Sequence, residues 1–188
     1  MVEKDKRKWA IKLTVLGDPA VGKTSLIDKY ITDSFKENYQ PTLGVNIVTK
    51  DIRIKEDNSE IRLLLWDIAG QDKYELTRQM FFQGCSGTLL VYDMTRYSTF
   101  ERVKTKWLED FKNYGRPDGI YLLIGNKSDL KKSIKVSSEE GKSLSEEINA
   151  VEFIETSAKY GENVEKAFRT LVSQVLGKLG VNIDFELQ

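Results

Sequence analysis

The sequence predicts an α/β protein: a doubly wound, mainly parallel six-stranded sheet with one antiparallel edge strand and helices on both faces. Three observations carry this reading. Short, nearly continuous apolar runs recur at Thr88 to Tyr92, Ile120 to Ile124 and Val151 to Ile154, as expected of strands buried on both faces. Amphipathic helical patterns stand between them, and strands alternating with helices build a parallel sheet. Two further strand-like segments, Val45 to Ile54 and Ile61 to Asp67, are joined by the polar stretch KEDNSE, which suits an antiparallel hairpin.

Taken in order, Ala10 to Leu16 is an apolar-rich strand ending in Gly17, and Ser25 to Ile31 has the apolar spacing of a helix. Ser98 to Glu101 and Ser137 to Glu140 both fit the capping box, in which a serine hydroxyl and a glutamate three residues on satisfy free N–H groups. Val164, Ala167, Phe168, Leu171, Val172, Val175, Leu176 and Leu179 follow the i, i+3, i+4, i+7 spacing of a final helix, with Asn163 as its cap. With 188 residues, 40% of them hydrophobic, residues 1–188 read as a single domain, with 1–8 and 180–188 expected as flexible ends.

Composition removes several function classes. The 29 basic and 29 acidic residues cancel, so bulk charge does not hold the chain to nucleic acid or an anionic membrane. There is no histidine and one cysteine, Cys85, which excludes histidine base catalysis and a disulfide framework. A metal would be held by oxygen. No apolar run has the length of a membrane span, and the residues NIDFELQ carry no cysteine to prenylate, so we expect a cytoplasmic protein without a visible lipid anchor. Cys85, Trp66, Trp107 and Phe111 are expected to pack in the core or on a partner surface.

Gly17 to Thr24, GDPAVGKT, matches G-x-x-x-x-G-K-[ST] between a predicted strand and a predicted helix, the context this phosphate cradle requires. Its backbone N–H groups and the helix N-terminus would hold the phosphates of a nucleoside triphosphate, Lys23 would reach the β and γ oxygens, and the Thr24 hydroxyl would ligate Mg²⁺. Asp67 closes the apolar run ending at Trp66, placing a second oxygen group for a hard cation at the ligand end of a neighbouring strand. The sequence NKSD, with Asn126, Lys127 and Asp129, follows another strand. A carboxylate there can accept two hydrogens from guanine and none in that geometry from adenine.

Five blocks in order, GDPAVGKTS, PTLG around Thr42, WDIAGQ, NKSD and TSAK at 156–159, are similar to those of the Ras superfamily of small GTPases. The segments GTLLVYDMTRYSTFERVKTKWL and FKENYQPTLGV most resemble the Rab-type branch, and PTLGVN and WDIAGQDK also resemble Arf-type sequences. The resemblance implies a P-loop small G domain that binds GTP and GDP with Mg²⁺. Gly17, Ala20, Val21, Gly22, Lys23, Thr24 and Ser25 would form the phosphate cradle, and Thr24, Thr42 and Asp67 the metal site. Thr42 and Gly70 would offer N–H groups to the γ-phosphate, and Gln71 would position the attacking water. Asn126, Lys127, Asp129, Ser157, Ala158 and Lys159 would form the base site, covered from the other side by Phe35. Effectors, exchange factors and GTPase-activating proteins would dock on switch regions around 35–48 and 68–82.

Pro19 lacks a backbone N–H, and we expect it to tune hydrolysis and activator access rather than nucleotide affinity. Ile68 stands where a threonine is usual in the family, which we read as a packing change. Two readings from other classes compete with a switch. One is a GTP-binding interaction module with negligible hydrolysis, against which Gln71 argues; the other is a P-loop kinase, which would carry an arginine-bearing lid that the sequence does not show.

Overall fold

Alternation along the strands decides which helix covers which face. The computed structural model describes residues 8–35, 42–53, 60–70 and 80–181. Its strands are β1 (Lys8–Leu16), β2 (Val45–Arg53), β3 (Glu60–Ile68), β4 (Gly87–Asp93), β5 (Ile120–Asn126) and β6 (Phe153–Thr156), in the sheet order β2-β3-β1-β4-β5-β6. Among these six strands only the β2–β3 pair is antiparallel, in the register Val45 opposite Ile68 to Arg53 opposite Glu60. The other four pairs are parallel, as the apolar runs predict. Residues 54–59, which hold most of the expected hairpin turn, lie outside the described residues.

Ile11, Leu13 and Val15 of β1, Leu89 and Val91 of β4 and Leu122 and Ile124 of β5 share one face. They are covered by α1 (Lys23–Thr32) and α5 (Val164–Lys178), where Tyr30 stacks on Phe168 at 4.2 Å. Leu16, Leu90, Tyr92 and Leu123 point the other way. They meet a helix built of α2 (Tyr97–Arg102), a π-helical stretch Val103–Leu108 and α3 (Glu109–Tyr114), together with α4 (Ser138–Glu147). The period-2 pleat thus feeds two separate cores, one on each side of the sheet. Ile68 is fully buried in the second core, in keeping with a packing role.

Several local expectations are corrected. The strand expected over Val151 to Ile154 begins at Phe153 and runs to Thr156, because pairing of Gly125 with Glu155 and Asn126 with Thr156 carries the ladder through polar residues. Val151 is exposed instead. Ser137 forms the capping box with Glu140, both bonds being present. Ser98 does not cap its helix, which starts at Tyr97 with Arg96 in the cap position. There the Thr99 hydroxyl is drawn to the backbone around Asp93, accepting from the Asp93 N–H at 3.0 Å and donating to the Arg96 carbonyl at 2.8 Å.

Asn163 does occupy the cap position of α5, but it does so with φ 56° and gives its side-chain amide to the Glu155 carbonyl at 2.9 Å. Leu179 lies just past the end of α5 and is 40% exposed, so it does not join the buried stripe. Of the expected flexible ends, 1–7 and 182–188 lie outside the described residues. Lys8 is the first residue of β1, and the Gly180 and Val181 N–H groups bond to carbonyls of α5.

Candidate functional site

The carboxyl ends of β1, β3, β4 and β5 converge on the loop Gly17 to Gly22, where ligands bind in sheets of this kind. Each carbonyl of that loop is engaged. The Lys23 ammonium donates to the carbonyls of Gly17 (2.8 Å) and Asp18 (2.9 Å), Arg96 Nη2 to that of Pro19 (2.9 Å), Lys127 Nζ to that of Ala20 (2.9 Å) and Asn126 Nδ2 to that of Val21 (2.8 Å). The Gly22 carbonyl accepts the first bond of α1, from Leu26 N–H at 2.9 Å. With the carbonyls so engaged, the loop and the N-terminus of α1 form a concavity of backbone N–H groups suited to an anion. Gly22 itself has φ 101°, and a Cβ there would stand 2.3 Å from Asn126 Nδ2, so the residue must be glycine.

Asp18 introduces a negative charge into the same loop, and the fold turns it away. Its Oδ1 accepts from Trp107 Nε1 at 2.8 Å and pairs with Arg102 at 3.2 Å, deep beside the π-helical stretch. Sequence reading missed this contact because the two partners lie 89 positions apart.

Beside the loop, three oxygen-bearing side chains meet. Thr24 Oγ1 donates to Asp67 Oδ2 at 2.5 Å and lies 3.0 Å from Thr42 Oγ1, which itself donates to the same oxygen at 3.4 Å. Asp67 is 1% exposed, and its Oδ1 is buried without a hydrogen-bond partner. Burial pushes the Asp67 pKa up, against the opposing pull of the Thr24 bond and the Lys23 charge. A buried carboxylate with one oxygen unsatisfied and two hydroxyls at hand is a donor set that suits a hard divalent cation such as Mg²⁺.

The third part is made by the loops after β5 and β6. Asn126 is 1% exposed and works as a strut: besides its bond to Val21, its Oδ1 accepts from Thr156 Oγ1 (3.1 Å) and the Ala158 N–H (3.2 Å). Those contacts tie the end of β5 to the phosphate loop and to the loop after β6. Ser157 Oγ donates to Asp129 Oδ1 at 2.7 Å and so orients that carboxylate. Lys159 and Phe35 are exposed. Gly70 packs against the phosphate loop, whereas Gln71 lies outside the described residues.

Sequence reading also passed over Asp93, at the carboxyl end of β4. This 1% exposed carboxylate accepts from Thr95 N–H (2.9 Å) and Thr95 Oγ1 (2.7 Å) on one oxygen. The other oxygen takes Arg96 Nε (2.9 Å) and Lys127 Nζ (2.7 Å). The signal was present: an Asp ending an apolar strand, adjacent in the sheet to the strand that feeds the cradle.

A glycine-rich strand-to-helix loop with engaged carbonyls, next to a threonine–aspartate cluster and two loops held by one asparagine, defines a P-loop nucleotide-binding protein of the small G-domain type. Residues 12–177 match the sequence model of the Ras family. Among similar proteins are Ras-related protein YPT3 of Nicotiana plumbaginifolia, 39% identical over 171 residues, and Ras-related protein RABA1c of Arabidopsis thaliana, 37% identical over 171 residues. Each alignment spans 91% of this chain and 77% of the relative. Ras-related protein Rab-1 of Theileria parva is 37% identical, over 91% of this chain and 76% of its own length. The chain belongs to the Ras family and is a small GTPase of the Rab type.

Proposed function

We infer that this protein is a guanine-nucleotide switch that binds GDP and GTP with Mg²⁺ and slowly hydrolyses GTP to GDP and phosphate. The observation that carries the reading is the commitment of the carbonyls of Pro19, Ala20 and Val21 to Arg96, Lys127 and Asn126, which fixes those peptides in a loop suited to a phosphate chain. In this reading the N–H groups of Ala20, Gly22, Lys23, Thr24 and Ser25 bind the phosphates. The Lys23 ammonium exchanges its loop carbonyls for phosphate oxygens, which a charge-assisted bond favours. Thr24, Thr42 and Asp67 would hold Mg²⁺, which when bound neutralises charge developing on the phosphates. Asp129, oriented by Ser157, accepts two hydrogens from guanine, and Gln71 orients the attacking water.

A slow rate is supported by the fate of the arginine that touches the loop backbone. Arg96 is occupied by Asp93 and the Pro19 carbonyl, so it does not serve as a finger on the phosphates. Hydrolysis by the protein alone is therefore expected on the order of 10⁻⁴ s⁻¹, as for switch GTPases acting without an activator. Loss of the γ-phosphate would release Thr42 and Gly70 together, a change that partners read through the segments around 35–48 and 68–82. Exposed Leu43, Ile47 and Met80 are apolar groups in those segments available to such partners.

Single-turnover hydrolysis of GTP by wild type and Gln71→Leu tests the enzyme. A measurable wild-type rate that Gln71→Leu abolishes is expected; equal, negligible rates would leave a binding module in its place.

A further inference from the structure

We propose that Arg96 is a positioning residue that locks the Pro19–Ala20 peptide in the orientation that turns the Ala20 N–H into the cradle. The proposal rests on the phosphate-binding reading above and gives Arg96 a role in it.

The argument begins with Ala20. Its φ is 61°, in the left-handed region that an alanine occupies at a cost. The peptide before it is trans, like every other described one, so its N–H points opposite to the Pro19 carbonyl. Rotating that one plane by half a turn would bring Ala20 to a φ of about −120°, where any L-residue is comfortable, and would turn its N–H away. Alanine's own preference therefore works against the binding orientation. A force from outside the loop must oppose it.

Arg96 supplies that force. Its Nη2 holds the Pro19 carbonyl at 2.9 Å, while its Nε is fixed to Asp93 Oδ2 at 2.9 Å. The rigid guanidinium fork thus ties the peptide to a carboxylate that is 1% exposed at the end of β4. The same Asp93 oxygen receives Lys127 at 2.7 Å, and Lys127 holds the next carbonyl, that of Ala20, at 2.9 Å. One buried anion thereby orients two cations onto consecutive carbonyls, so both peptides flanking Ala20 are held. Pro19 contributes by fixing its own φ, which leaves the rotation of the 19–20 plane as the freedom that remains for Arg96 to remove. Arg96 does not touch the nucleotide in this scheme; it acts through the backbone.

The test is dissociation of a fluorescent GDP analogue from wild type, Arg96→Ala, Ala20→Gly and the double variant, measured by stopped flow on Mg²⁺-loaded protein. Glycine has no preference against a positive φ, so it removes the drive that Arg96 resists. Arg96→Ala is expected to speed release about tenfold or more when Ala20 is kept, and by no more than about threefold when it is combined with Ala20→Gly. The amide resonance of Ala20 in the GDP-bound state should shift in Arg96→Ala and provides a reading independent of rates. Equal acceleration with and without Ala20→Gly, or release within about twofold of wild type in Arg96→Ala with an unmoved Ala20 resonance, overturns the proposal. Failure of wild type itself to retain the analogue would overturn the phosphate-binding reading and the proposal with it.

Discussion

Gly70→Ala isolates the contact between the end of β3 and the phosphate loop. A Cβ at Gly70 would lie 2.5 Å from the Gly17 carbonyl oxygen, 2.6 Å from Asp18 C and 2.7 Å from Pro19 N. All three are backbone atoms, and ordinary contact begins at 3.4 Å, so one side must retreat by close to an ångström. The loop is pinned by Arg96, Lys127 and Asn126, so the Gly70 side is the one that gives. The cradle keeps its shape, and the N–H that Gly70 would offer to a γ-phosphate is withdrawn. Losing a hydrogen bond to a charged oxygen costs about 1.5–3 kcal/mol, or roughly 10- to 150-fold. The on the order of 10²-fold cost of misplacing a reacting group by about 1 Å agrees with that range. Single-turnover GTP hydrolysis should therefore fall on the order of 10²-fold, while the affinity for GDP, which lacks that phosphate, stays within a few-fold. Unchanged hydrolysis, or an equal collapse of GDP affinity, would refute the reasoning.

Other consequences are open to simpler assays. Trp107→Phe removes a donor from the buried Asp18 carboxylate and should lower unfolding free energy in urea by about 1–3 kcal/mol; a change under about 0.5 kcal/mol would contradict the assigned contact. Burial pushes the Asp93 pKa up, but bonds from Lys127 and Thr95 and the Lys127 charge outweigh it and hold the carboxyl below the ordinary 3.8. Its contribution to stability is then complete above the unfolded value and is lost as pH falls through the lower folded one. The stability gap between wild type and Asp93→Asn should accordingly be widest near neutrality and close in acid; a gap that widens below pH 3.8 would contradict this. Cys85 is fully buried, bonded to the Gly87 carbonyl at 3.1 Å, and burial pushes its thiol pKa up, so iodoacetamide should modify it only on unfolding. Prompt alkylation of the native protein would count against that placement.

The parts of the fold that repeat with a fixed period were legible before any coordinates. The apolar runs of β4 and β5 and the stripe from Val164 to Leu176 record burial directly in residue order. The phosphate loop was legible for another reason: its glycines are demanded by backbone geometry, and its lysine and threonine by the chemistry of their side chains, all within eight residues. What escaped notice depends on partners distant in sequence. Ser98 does not take the expected cap, since its helix starts at Tyr97, and the bond of the Thr99 hydroxyl with the Asp93 N–H exists only once β4 and α2 are packed. The Asp18–Trp107 bond and the bond from Arg96 to Pro19 each span more than seventy positions, and no local pattern announces them. The bonds that tie the Asn126 amide to Val21, Thr156 and Ala158 likewise reach loops far from it in sequence, and its place in NKSD does not announce them. Pro19 announces its missing N–H in the sequence, but not that Arg96 holds its carbonyl.

Chromatography of the nucleotide released from the purified, denatured protein tests the central claim most directly. The account predicts GDP, or a mixture of GDP and GTP, in near-stoichiometric amount. Nucleotide-free protein that fails to take up GDP with Mg²⁺, or adenine nucleotide in its place, would contradict it.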